Sequence, residues 1–267
     1  MAFDVLPGDS ASPVILHVPH SSRNIVESGL YPDIVAEELD HLTDAHTDLI
    51  ALGAAETAAR RPWIFLNRLS RLVVDPERFT DDEMVRAGMG PVYTHGHAGR
   101  RLRDDDPSRD AKLLHEHFHP YAEAMTRLVD DRLAATGRAV ILDVHSYPTA
   151  PLPYELHADG PRPPVCLGTH PLHTPDRLLA AARAAFGGTG LNSPFAGCYV
   201  PLKHYDRDPA VSALMVEIRR DQYMAEPGGP PTAEIDRLAR ALAILVDSVP
   251  ARPVTRPGGS VPADGVT

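Results

Sequence analysis

Three apolar runs of this chain end in polar residues of types that do chemistry. Val14-Ile15-Leu16 leads into His17-Val18-Pro19-His20, and Ala139-Val140-Ile141-Leu142 leads into Asp143-Val144-His145. Leu214-Met215-Val216 leads into Glu217-Ile218-Arg219-Arg220-Asp221. Strand alternation sends Asp143 and His145 to the same side. A carboxylate such as Glu217, set between Val216 and Ile218, is costly to bury unless it is paired or functional. A fourth group, Asp44-Ala45-His46-Thr47-Asp48, is expected on a helix, with Asp44 and Asp48 four residues apart on one face. Two imidazoles and a carboxylate form the donor set of a catalytic zinc ion whose fourth position stays open for water. Such an ion lowers the pKa of that water to about 7 and polarises a scissile carbonyl. A separate carboxylate then takes the proton and passes it to the leaving nitrogen. His20, His145, an aspartate and Glu217 can supply this set. Their long spacing matches no compact motif such as HExxH, so the fold has to bring them together.

Arginines add a second chemistry. Arg68, Arg71 and Arg78 bracket the apolar Leu72-Val73-Val74, and Arg binds carboxylates bidentately, which points to a small anionic substrate. Each feature also has a plainer reading. A lone histidine can sit in a surface loop, Asp143 and His145 can cap a strand end, and Asp48 can belong to a solvated acidic face. Glu217 can pair with a neighbouring arginine, and Arg68 and Arg71 can pair with the acidic run Asp81-Asp82-Glu83. A metal-free hydrolase using Ser21, Ser22 or Ser146 is a further reading, but no Gly-x-Ser-x-Gly elbow occurs in the chain.

The elements that must position these groups alternate in type. Strands are expected at Val14–Leu16, Trp63–Leu66, Leu72–Val74, Ala139–Leu142, Val165–Leu167 and Leu214–Val216, each short and apolar on both faces. Between them lie amphipathic stretches from Ile34 to Ala59, Ser108 to Ala135, Arg177 to Phe186 and Ala233 to Val246. Pro120 is expected to kink or divide the second, and Gly137 to stop it. Alternating strands and helices imply a three-layer α/β/α domain over residues 1–249. The Pro- and Gly-rich residues 250–267 are expected to form a disordered tail. A net charge of −10 argues against a nucleic-acid partner. Two cysteines exclude a disulfide framework and a thiolate zinc cluster. No apolar run reaches membrane-spanning length, and Met1–Ser10 has no basic start followed by an apolar stretch, which reads as a cytoplasmic protein. The oligomeric state stays open.

The segments HVPHSS (17–22), LTDAHTDLI (42–50), SRLVVDPERF (70–79), LDVHSY (142–147) and MVEIRRDQY (215–223), in this order, resemble the N-formylglutamate amidohydrolase family, which is related to zinc carboxypeptidases and aspartoacylases. The resemblance spans roughly the first 225 residues. It implies a mixed, mostly parallel sheet between helices, zinc-carboxypeptidase-like, with one zinc ion at the carboxyl edge; other divalent metals suit the same N/O donors. It implies His20 as first ligand, Asp44 as middle ligand with His46 as its competitor, His145 as last ligand, and Glu217 as general base. Arg71 and Arg78 would hold substrate carboxylates, with Arg219 or Arg220 as a further anion contact. The implied reaction is hydrolysis of the amide of an N-formyl or N-acyl acidic amino acid such as N-formyl-L-glutamate. A carboxypeptidase- or aspartoacylase-like deacylase and a non-catalytic binding domain are the alternatives. One departure stands out. Many members carry Asp-x-Asn-Arg where this chain has Asp75-Pro76-Glu77-Arg78, so a charge replaces an amide and alters the fit for a glutamate-like anion.

Overall fold

The structure, a computed structural model, describes residues 2–79, 83–155 and 158–250. Seven strands form one sheet: β1 (Phe3–Leu6), β2 (Val14–Val18), β3 (Trp63–Asn67), β4 (Ala139–Tyr147), β5 (Val165–Gly168), β6 (Thr189–Leu191) and β7 (Val211–Arg219). Their order across the sheet is β1-β3-β2-β4-β7-β5-β6. The pairs β2·β3, β2·β4, β4·β7 and β5·β6 are parallel, while β1·β3 and β5·β7 are antiparallel. The helices are α1 (Pro32–Leu42), α2 (Thr47–Thr57), α3 (Pro107–Leu113), α4 (His119–Thr136), α5 (Asp176–Phe186) and α6 (Ile235–Asp247). Among the described residues no helix is long and apolar enough to cross a membrane.

Strand alternation divides the core into two layers. Leu16, Val18, Leu142, Val144, Leu214 and Val216 pack against α2, α5 and α6, whose contributions include Ile50, Leu178 and Leu242. Ile15, Ile141 and Ala213 face the other way, onto Tyr121, Met125 and Val129 of α4. The sheet is thus covered on both faces, which is why its central strands are apolar throughout. On the α4 side this apolar series gives way to polar residues as β2, β4 and β7 approach their carboxyl ends. Register fixes their partners: His17 lies opposite Asp143, and His145 opposite Glu217.

Two local expectations need correction. The stretch from Ile34 to Ala59 is two helices, because the Asp44 amide donates to the His20 carbonyl (3.0 Å) instead of to a helical carbonyl. Asp44 therefore lies in a turn and shares no helix face with Asp48. Leu72–Val74 is a buried turn, closed by Val73 N–H to Ser70 O (2.9 Å), and its apolarity reflects burial in side clusters beside the sheet. The stretch from Ser108 to Ala135 is divided beside Pro120, as expected. A wide π-type turn over Leu114–Phe118, with His119 N–H bonded to Leu114 O, joins α3 to α4 just before the proline, whose missing N–H falls at that junction. Gly137, at φ 76°, closes α4 as expected. Of the tail, residues 251–267 lie outside the described residues.

Candidate metal and catalytic site

β2 ends at Val18, and Pro19 turns the chain so that His20 stands past the strand end. Asn67 Nδ2 donates to the Pro19 carbonyl (2.8 Å) and holds this turn. His145 projects from β4, and Asp44 arrives from the α1–α2 turn that is tied to the His20 carbonyl. Three donor atoms converge: His20 Nδ1 and His145 Nδ1 are 3.3 Å apart, and Asp44 Oδ2 is 3.5 Å from the first and 3.2 Å from the second. A tetrahedral ion with bonds of about 2.0–2.1 Å holds its ligands about 3.3–3.4 Å apart, so the cluster has the span of a zinc tripod. His46 is not part of it. Its backbone is left-handed (φ 67°), and its Nε2 donates to the Gly229 carbonyl (2.9 Å), away from the cluster.

Carboxylates back both imidazoles. His20 Nε2 lies 2.9 Å from Asp75 Oδ1, and His145 Nε2 lies 3.0 Å from Asp143 Oδ1, although the latter contact is out of line for a hydrogen bond. Such contacts on the far nitrogen fix a ligating imidazole and leave Nδ1 free for a cation. Asp75 is fully buried. Its other oxygen accepts from Arg71 (2.7 Å from Nη2) and from the Tyr93 hydroxyl (2.5 Å). Asp44 Oδ1 accepts from Arg220 Nη2 (3.2 Å), while Arg220 Nη1 donates to the His41 carbonyl (2.7 Å). Burial alone would raise the Asp44 carboxyl, but hydrogen bonds from His145 and His20 prevail and hold it below its usual range. Burial would likewise lower both imidazoles, yet the carboxylates around them hold His20 and His145 above theirs.

Glu217 stands across the β4–β7 pair from His145. Burial is the main cause that pushes its carboxyl up to about 7, and the Asp44 charge adds to it, while His145, Arg220 and Arg71 pull the other way. Its Oε2 is buried without a hydrogen-bond partner. A carboxylate poised near neutrality with a free oxygen is equipped to take and return a proton. Both groups line a cleft of about 220 Å³, which Tyr154, Phe195, Tyr199 and Tyr205 also line.

Of the arginines, Arg71, Arg78 and Arg220 line this cleft. Arg219 does not line it. Its guanidinium pairs with Asp221 (Nε to Oδ1 2.8 Å) and donates to the Arg162 carbonyl, so the site takes Arg220, next in the chain, rather than Arg219. Ser22 Oγ donates to the Arg68 carbonyl and Ser146 Oγ to Asp44, neither to an imidazole as a serine nucleophile requires. Sequence reasoning missed the supporting roles of Asp75 and Tyr93. The available signal for Asp75 was an acid directly after Val73-Val74 and four residues from Arg71.

The fold and cluster define an α/β protein with a His-Asp-His metal-type triad at the carboxyl edge of its sheet. The chain belongs to the N-formylglutamate amidohydrolase family, whose sequence profile matches residues 12–224. In fold it is similar to the N-formylglutamate amidohydrolase of Ralstonia eutropha JMP134, at 21% identity and TM-score 0.79, covering 92% of this chain and 96% of the other. It is also similar to a gene product of Agrobacterium tumefaciens, at 19% identity and TM-score 0.64, covering 92% and 93%. No curated protein matches the chain.

Proposed function

We propose that this protein is a zinc-dependent amidohydrolase that cleaves the amide bond of an N-formyl or N-acyl acidic amino acid, with N-formyl-L-glutamate as the first substrate to assay. The observation that carries this reading is the tripod of His20, Asp44 and His145, with donor atoms 3.2–3.5 Å apart, beside a buried carboxylate with an unpartnered oxygen. His20 and His145 through Nδ1, and Asp44 through Oδ2, would hold the ion. When bound, a divalent cation there activates water and polarises the scissile carbonyl. Glu217 removes the proton of the attacking water and delivers it to the leaving nitrogen, a transfer suited to a buried carboxylate with an unpartnered oxygen. Asp75 holds the His20 imidazole in the ligating tautomer, and Arg220 holds Asp44 in place while neutralising part of its charge. Arg71 and Arg78 face the cleft as anchors for the substrate carboxylate.

The test combines elemental analysis with an assay of formate release. One zinc per chain in the wild type, lost in His145→Ala together with activity on N-formyl amino acids, supports the proposal. A chain that takes up no metal on reconstitution, or that hydrolyses the substrate equally well with a chelator present, refutes it.

A further inference from the structure

Glu77 neither belongs to the tripod nor serves as the base, yet its carboxylate reaches the back of both ligand imidazoles. Oε2 lies 3.3 Å from His145 Nε2 and 3.6 Å from His20 Nε2, while Oε1 lies 3.5 Å from His17 Nδ1. The main chain fixes this placement. The Glu77 amide donates to Asp75 Oδ1 (3.1 Å), the same oxygen that faces His20 Nε2, and Pro76 stiffens the approach.

We propose that Glu77 is a positioning residue for the metal ligands: its carboxylate, facing the Nε2 atoms of His145 and His20, tightens their hold on a divalent cation. The inference rests on the metal-dependent reading given above. His145 carries the argument furthest. Its Nε2 is buried and makes no aligned hydrogen bond, although two carboxylates, Asp143 at 3.0 Å and Glu77 at 3.3 Å, stand within reach. Asp143 Oδ1 is already engaged by His17 Nδ1 at 2.8 Å, whereas Oε1 of Glu77 is buried with no hydrogen-bond partner. Glu77 is therefore the acceptor with capacity to spare. A small rotation of either side chain gives His145 the far-side partner that ligating imidazoles need. His20 already has Asp75, and for that ring Glu77 adds charge without replacing the bond. A carboxylate on the far nitrogen keeps the proton there and makes the near nitrogen a better donor. A cation in a buried site also gains directly from each nearby negative charge.

The experiment is a titration of metal-free protein with Zn²⁺ against a competing chelator, for wild type, E77Q and E77D, with the melting of each metal-free form recorded alongside. E77Q keeps the shape of the side chain and removes its charge. The expected result is one equivalent bound in every form, about 10- to 100-fold weaker binding in E77Q, partial recovery in E77D, and a single cooperative melting transition for each metal-free chain. Equal affinity in wild type and E77Q overturns the proposal. So does a second equivalent that wild type binds and E77Q loses, since His17, Glu77 and Asp143 would then be ligands of another ion. Failure of the wild type to bind any Zn²⁺ overturns the metal-dependent reading itself, and this inference with it, so the two failures are told apart.

Discussion

Replacing Glu217 by glutamine separates what the active site needs from what the fold prefers. In the unfolded chain this carboxyl titrates at its usual 4.5, and in the folded, metal-free protein at about 7. An acid whose folded pKa is raised destabilises the fold once pH exceeds the unfolded value, and the penalty levels off above the folded value. At about 1.4 kcal/mol per pH unit, the rise to about 7 amounts to about 3 kcal/mol at pH 8 and less than about 1 kcal/mol at pH 5. Glutamine cannot ionise, so metal-free E217Q is expected to be more stable than wild type by up to about 3 kcal/mol at pH 8 and nearly equal to it at pH 5. For a domain of this size, about 2–4 °C per kcal/mol turns this into a rise of about 6–12 °C in the melting midpoint. Scanning calorimetry of both proteins in chelator at the two pH values measures it. The same variant is expected to retain its metal and to lose about 10²- to 10⁴-fold in kcat for formate release. A midpoint at pH 8 that stays put or falls refutes the claim that burial opposes the ionised carboxyl. An unchanged kcat refutes its role as the base. A bound cation attracts the Glu217 charge, so the stability gap narrows when the protein is reconstituted with metal.

Asp75→Asn breaks the pair between the fully buried Asp75 and the partly buried Arg71 and is expected to cost about 3 kcal/mol, read from urea denaturation of the metal-free protein. Asp44→Ala is expected to abolish metal uptake, as elemental analysis will report, whereas His46→Ala leaves metal content unchanged because its imidazole bonds the Gly229 carbonyl. In the reconstituted enzyme kcat/KM is expected to rise with pH along a single acid limb set by Glu217. A bound cation draws that limb below the value of about 7, and a profile taken from pH 4.5 upward locates it; a flat profile would exclude a titrating base.

The central strands were legible because both of their faces are buried, which leaves continuous apolar runs at β2, β3, β4, β5 and β7. The edge strands were not. Phe3–Leu6 is only partly covered, and Thr189–Leu191 is three residues long with a glycine at its centre, so neither carries a run to read. The break between α1 and α2 depends on a hydrogen bond from Asp44 to His20, and periodicity along one segment cannot register a partner in another. Asp75 was obscure for the same reason: its contact with His20 spans 55 positions. The choice between Arg219 and Arg220 turned on where β7 gives way to the short 3-10 turn at Arg220–Gln222, a boundary that composition leaves undefined.

The groups proposed for chemistry and the aromatic residues that share their cleft come from different parts of the architecture. His145 and Glu217 ride on β4 and β7, with His20 just beyond β2, whereas Tyr154, Phe195, Tyr199 and Tyr205 belong to the excursions between β4 and β5 and between β6 and β7. Insertions and exchanges in those excursions can retune which side chain is admitted while the reacting centre, anchored to paired strands, stays as it is. A library confined to 148–155 and 195–207 would vary the lining of the cleft while keeping His20, Asp44, His145 and Glu217 themselves.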